Sequence, residues 1–223
     1  SDVCSSDLKK YSISHPDLYP NIAILDEGLT SSLPLDLSII TVMDALSHSF
    51  ESIWNKNANP TSTSYAVEAI TLIIKNIEKF KKNPNDLKIR KKLLIASNKA
   101  GLAFSNTKTA AAHSISYPLT VHYGIPHGIA SSISLIPLLN MSKVLIMDSL
   151  KKICYNTDLT FEELIKSISL IPQNLLFSLK GWKVPIDCLS LLAKESFTKG
   201  RMDNYLIELT KHKVKGILEK VYN

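Results

Sequence analysis

Apolar residues return at every third or fourth position through most of this chain, and an α-helix gathers residues at that spacing onto one face. Ile39, Ile40, Met43, Leu46, Phe50 and Ile53 set the pattern in a first helix over about 37–54. Val67, Ile70, Ile73, Ile74 and Ile77 repeat it in a second over about 62–81, with Thr61 or Ser62 as its cap. Asn55 to Pro60 and Asn83-Pro84-Asn85 break the pattern. A third helix is expected over about 87–104 and a fourth over 110–119. Pro126 suits the first position of a fifth, which Pro137 would bend or end. Further candidates lie at 143–155, 160–170, 185–197 and 209–221. The implied class is all-α, a helical bundle. Ile22-Ala23-Ile24-Leu25 is the exception, a short apolar run that reads as one strand.

The first helix also carries chemistry. Asp44 and His48 in DALSHSFE stand at i and i+4, so both side chains share one face. A carboxylate and an imidazole one turn apart make half of a divalent-metal site. His113, in AAAHSISYPL, and His127, in YGIPHGIAS, can supply the other half. Imidazole nitrogen with one carboxylate oxygen is borderline ligation, suited to Fe²⁺ or Zn²⁺. Taken singly, each of these histidines reads as an ordinary surface or core residue. Glu51, one turn past His48, either orients a ligand from behind or joins a plain helix salt bridge. His15 and His212 read as solvent-exposed.

In combination these residues resemble the iron-containing (group III) alcohol dehydrogenase family, and in particular its C-terminal metal-binding domain. The resemblance begins at Ile24-Leu25-Asp26 and runs through Leu29-Thr30-Ser31-Ser32-Leu33-Pro34 to Asp44-Ala45-Leu46-Ser47-His48 and Glu51. It resumes at Lys56-Asn57-Ala58-Asn59-Pro60, at Gly101 to Asn106, and from His113 to Ala130. It implies that Asp44, His48, His113 and His127 ligate the metal. It also implies reversible hydride transfer between NAD(P)H and an aldehyde or ketone bound there. Three details are similar to the phosphonoacetaldehyde reductase branch: Ser49 to Trp54, the run Ser105 to Thr109, and His113 to Thr120. On that reading Lys108 holds the phosphonate, with Ser105, Asn106, Thr107 and Thr109 as neutral donors. The product is 2-hydroxyethylphosphonate. Tyr117 stands where a histidine is common in the family, one turn past His113, and is the candidate proton relay. Val42 stands where the family usually has glycine, and Asn204 matches an asparagine near the family's C-terminus. His122 is given no role.

Composition narrows the alternatives. The chain has 223 residues, enough for one sizeable domain or two small ones. No apolar run reaches the ~18–20 residues of a membrane span. Three widely spaced cysteines argue against a disulfide framework or a cysteine zinc site and fit a reducing cytoplasm. The net charge of +6 is mostly lysine, clustered between Lys75 and Lys99, without interleaved aromatics. That is a solvated helical face rather than a nucleic-acid surface. Richness in Lys, Ile, Asn and Ser fits an AT-rich bacterial genome. The seven glycines form no GxGxxG cluster of the kind that brings backbone amides against a pyrophosphate.

Residues 1–8, SDVCSSDL, resemble a translated sequencing adapter, which removes Cys4 from any chemistry. Residues 9–36 read as the remnant of a junction with a nucleotide-binding domain, and 37–223 as the helical metal-binding domain. NAD(P)H is then expected on the preceding domain, with this fragment inactive alone and the full-length enzyme a homodimer or larger. Two other readings remain open: a family enzyme for a plain short-chain alcohol or diol, and a helical metal-binding module without catalysis.

Overall fold

The structure, a computed structural model, describes residues 16–223. The adapter-like segment 1–8 and His15 lie outside the described residues. Ten α-helices follow one another among the described residues: α1 Leu35–Ile53, α2 Pro60–Lys82, α3 Leu87–Thr107, α4 Ala111–Tyr123, α5 His127–Ser132, α6 Leu135–Ser142, α7 Met147–Thr157, α8 Phe161–Leu170, α9 Leu189–Glu195 and α10 Lys211–Lys220. The all-α expectation holds. Among the described residues no single helix is long and apolar enough to cross a membrane.

The strand expected at Ile22 to Leu25 does not form, and the segment is irregular. A strand is stable only where a neighbour takes its backbone hydrogen bonds. Ile22 and Ile24 are instead 81% and 87% exposed, with their side chains in solvent.

α1 is the hub. It packs against α2, α3 and α5, while α4 packs on α5 and α9. Leu46, Phe50 and Trp54 carry its buried face against Ile70, Ile73 and Ile77 of α2 and Ile115 and Leu119 of α4, all in one core. The end of α1 is fastened to the distant C-terminal part of the chain. Asn55 and Tyr205 form an isolated antiparallel bridge, Leu206 N–H donates to Trp54 O at 3.1 Å, and Tyr205 meets Trp54 edge-on at 5.9 Å. Ahead of α1, the buried Arg90 of α3 donates to the carbonyls of Thr30, Leu33 and Pro84 and so clamps the incoming segment.

Several helix boundaries differ from the sequence expectation, each for a local reason. α2 starts at Pro60, and Asn59 rather than Thr61 or Ser62 is its cap. The Asn59 side chain accepts from Ser62 N–H at 2.9 Å and the Ser62 hydroxyl accepts from Asn59 N–H at 3.0 Å, a reciprocal box with proline at the first helical position. α4 runs through Pro118 and stops only at Gly124, whose φ of 64° is the left-handed cap glycine adopts readily. The fifth helix ends at Ser132, ahead of Pro137. Pro137 sits in the first turn of α6, where the amide it lacks has no intrahelical acceptor anyway.

Gly128 sets the spacing between α1 and α5. A Cβ there would lie 2.2 Å from the carbonyl oxygen of Ile40, so only glycine lets the two helices approach this closely. Gly216 in α10 has nothing within 4 Å of its Cβ position. Gly128→Ala is therefore expected to cost about 1–3 kcal/mol through overpacking. Gly216→Ala should gain about 0.5–1 kcal/mol through backbone entropy. Urea midpoints of the two variants check this, and equal midpoints would rule out the close-approach argument.

Candidate metal centre

The helix hub determines where the four sequence-predicted ligands sit. α1 places Asp44 and His48 one turn apart, with His48 Nε2 3.5 Å from Asp44 Oδ2. The first turn of α4 brings His113 Nε2 to 3.5 Å from Asp44 Oδ1. The first residue of α5, His127, puts its Nε2 3.8 Å from the same oxygen. One carboxylate thus faces three imidazoles. One donor atom each from Asp44, His48 and His113 lies within 4.8 Å of the others. Exposure rises across the cluster: the side chains are 3% exposed at His113, 17% at His48, 25% at Asp44 and 37% at His127. The site is closed behind His113 and opens beside His127.

Neighbours fix each ring. His48 is stacked between Phe104 of α3 and His113, with centroids 4.2 Å away on either side. The Ser131 hydroxyl donates to Asp44 Oδ1 at 2.6 Å, and its own carbonyl accepts from the Ser47 hydroxyl at 2.7 Å. Glu51, fully buried, is 2.6 Å from His113 Nδ1 through Oε2 and accepts the His113 backbone N–H at 3.1 Å through Oε1. Of the two sequence readings of Glu51, the contact with a candidate ligand is the one observed.

The electrostatics follow from these contacts. Burial alone would raise the Asp44 carboxyl, but the facing His113 and His48 nitrogens outweigh it and hold its pKa far below the usual carboxylate range. Burial also opposes charge on Glu51, and His113 with the backbone amides of Ala110 and His113 more than offsets it, so its pKa is lowered. His113 is pulled down by burial and lifted further by Glu51 and Asp44, reaching about 9.

The donor set fits a divalent ion. His113 Nε2 is buried and has no hydrogen-bond partner among the described residues, although its other nitrogen is bonded to Glu51. A buried polar atom left this way is costly unless something meets it. The converging donors are two imidazole nitrogens and one carboxylate oxygen, ligand types of Fe²⁺ and Zn²⁺ sites, while His127 faces Asp44 from outside that group.

The other candidates are more dispersed. Lys108 caps α3 with its side chain exposed and its backbone at φ 62°, ψ 173°, a region essentially reserved for glycine. Its carbonyl accepts from the Asn55 side chain at 3.1 Å. Ser105 and Asn106 are exposed, and their side chains donate to Gly101 O and Leu102 O of their own helix. Thr107 is buried with its hydroxyl 3.4 Å from that of Ser52. Thr109 is buried, and its hydroxyl accepts from Arg201 Nη1 at 2.6 Å. Asn204 ties its side chain to Thr109 O at 2.9 Å, a structural contact. Tyr117 is half-buried with the Arg201 guanidinium 5.0 Å from its ring centre. Burial pushes the Tyr117 hydroxyl up, with Arg201 pulling the other way. His122 lies at the surface, paired with Glu195 at 2.7 Å, and His212 is exposed as expected.

Sequence reasoning missed Ser131, Phe104 and Arg201. Ser131 stands one turn after His127, so the spacing that paired Asp44 with His48 would have found it. Phe104 lay inside a matched segment without an assigned part. Arg201 carried no local signal, because only the tertiary fold brings it to Thr109 and Tyr117.

The sequence profile of the Fe-containing alcohol dehydrogenase family, C-terminal, matches residues 38–222. The chain is 37% identical over 133 residues to long-chain-alcohol dehydrogenase 1 of Geobacillus thermodenitrificans (strain NG80-2), covering 60% of this chain and 34% of that protein. It is 35% identical over 116 residues to 1,3-propanediol dehydrogenase of Citrobacter freundii, covering 52% of this chain and 30% of that one. The crystal structure of sulfoacetaldehyde reductase from Bifidobacterium kashiwanohense, in complex with NAD⁺, superposes with a TM-score of 0.80 at 26% identity, covering 88% of this chain and 53% of that one. The chain thus spans about half or less of the length of the relatives it matches. With residues 38–222 inside the profile, it belongs to the Fe-containing alcohol dehydrogenase family and carries that family's C-terminal domain.

Proposed function

We propose that this chain is the metal- and substrate-binding half of an NAD(P)-linked alcohol dehydrogenase that reduces an aldehyde to an alcohol, and that the aldehyde is phosphonoacetaldehyde. The observation that carries the reading is the buried, unbonded Nε2 of His113, facing Asp44 beside two further imidazoles. Relatives named as alcohol and diol dehydrogenases support the reaction class. A relative named for sulfoacetaldehyde, an aldehyde with an anionic tail, supports the finer substrate.

Asp44, His48, His113 and His127 would hold Fe²⁺ or Zn²⁺. The ion supplies a Lewis acid that polarises the carbonyl and stabilises the negative charge that builds on its oxygen. The residues around it do the positioning. Phe104 and His113 cover both faces of His48, and Ser131 holds the Asp44 carboxylate. Substrate approaches on the open side, beside His127. Tyr117, one turn past His113 on α4, is the group to deliver the proton. NAD(P)H is assigned to a preceding α/β domain, and the sulfoacetaldehyde reductase structure that holds NAD⁺ is matched over only 53% of its length. Lys108 meets the anionic tail.

A plain short-chain alcohol or diol is the second reading. One observation favours it: Ser105 and Asn106 direct their donors to their own helix rather than outward to a tail.

Two measurements follow. The chain should take up one Zn²⁺ or Fe²⁺, and His48→Ala or Asp44→Asn should abolish uptake while circular dichroism stays helical. Uptake unchanged in both variants would remove the metal reading. With the nucleotide-binding domain joined, Lys108→Ala should lower kcat/KM for phosphonoacetaldehyde about tenfold or more. That corresponds to ~1.5–3 kcal/mol for a hydrogen bond to a charged group. Turnover of acetaldehyde should barely change. An equal fall for both aldehydes would favour the second reading.

A further inference from the structure

We infer that Glu51 is a positioning residue serving two helices at once: it closes the start of α4 and, with the same carboxylate, selects which nitrogen of His113 faces the metal. The inference rests on the metal reading of the site.

α4 has no cap of its own. Ala110 stands at its N-cap without a side-chain acceptor, and Ala111 and Ala112 follow. The first amides of a helix have no intrahelical acceptor and need one from elsewhere. Here the acceptor comes from α1. Glu51 Oε1 takes the His113 N–H at 3.1 Å, and the Ala110 backbone helps lower the pKa of the same carboxylate. Glu51 and His113 are both buried, so water does not stand in.

The second oxygen is committed to the ring of His113, 2.6 Å from Nδ1. An ionised carboxylate only accepts hydrogen bonds, so Nδ1 must carry the hydrogen. When the ring is neutral, Nε2 is the nitrogen with a lone pair to offer a cation, and it is the one 3.5 Å from Asp44. The helix start and the ligand nitrogen are set by one side chain.

Glutamine cannot reproduce both functions. If its carbonyl keeps the α4 amides, its NH₂ faces Nδ1 and donates. The ring must then place its hydrogen on Nε2, where the metal should be. If the amide flips, the helix start loses its acceptor.

The experiment compares wild type, Glu51→Gln and Glu51→Ala by metal-free melting and Zn²⁺ titration, and records long-range ¹H–¹⁵N spectra of the zinc-loaded wild-type chain. Glu51→Gln should melt closer to wild type than Glu51→Ala does, yet bind Zn²⁺ about 10–100-fold more weakly than wild type. The wild-type spectrum should place the metal on Nε2 of His113 with Nδ1 protonated, a readout that needs no variant to fold. Zinc bound through Nδ1 overturns the inference. So does Glu51→Gln affinity equal to wild type, or affinity lost only in step with metal-free stability. Wild type that takes up no Zn²⁺ overturns the metal reading itself, and the inference with it.

Discussion

A carboxylate sealed from water keeps its charge only where donors surround it, and Glu51 has them: the His113 ring, the His113 amide and the Ala110 amide. The arrangement is cooperative. Removing any one donor would leave a buried charge undersatisfied, and removing Glu51 would orphan several donors together. The position of α4, the orientation of His113 and therefore the geometry around Asp44 all follow from this contact between two helices far apart in sequence.

The remaining candidate ligand depends on how closely the backbone can approach α1. Gly128 lets the start of α5 lie against Ile40, which brings His127 and Ser131 to Asp44 from one short helix. Phe104 arrives from α3 and closes the other face of His48. Three helices thus bring the four candidate ligands together, and a fourth adds only a covering ring. The Asp44–His48 pair on α1 offers donors only along a stripe, and His113 and His127 face it from two other helices.

Sequence reading works here where chemistry is local and weakens where it is tertiary. Asp44 and His48 were legible because helical spacing alone pairs them. His113 and His127 read singly as ordinary histidines, and only their flanks tied them to a family pattern. The helices were legible from apolar period, their ends less so. Asn59 took the cap because its side chain reaches Ser62, and Pro137 is accommodated within a helix because a first turn has amides to spare. The strand at Ile22 failed because a short apolar run looks the same whether or not a neighbour exists to pair with it. Arg201 was invisible because nothing near it in sequence hints at Tyr117.

The exposure gradient across the cluster has a kinetic meaning. A chelator arriving from solvent meets His127 long before it meets His113, which lies against Glu51 at the closed end. On the proposed metal reading, exchange of an ion here would be governed by two different side chains. His127, the most exposed at the mouth, would set how fast the first bond is lost. His113, held at the back by Glu51, would set how firmly the last one is kept. Residence time and affinity can then vary independently, and a change at the mouth would alter turnover of the ion without altering the preference for it.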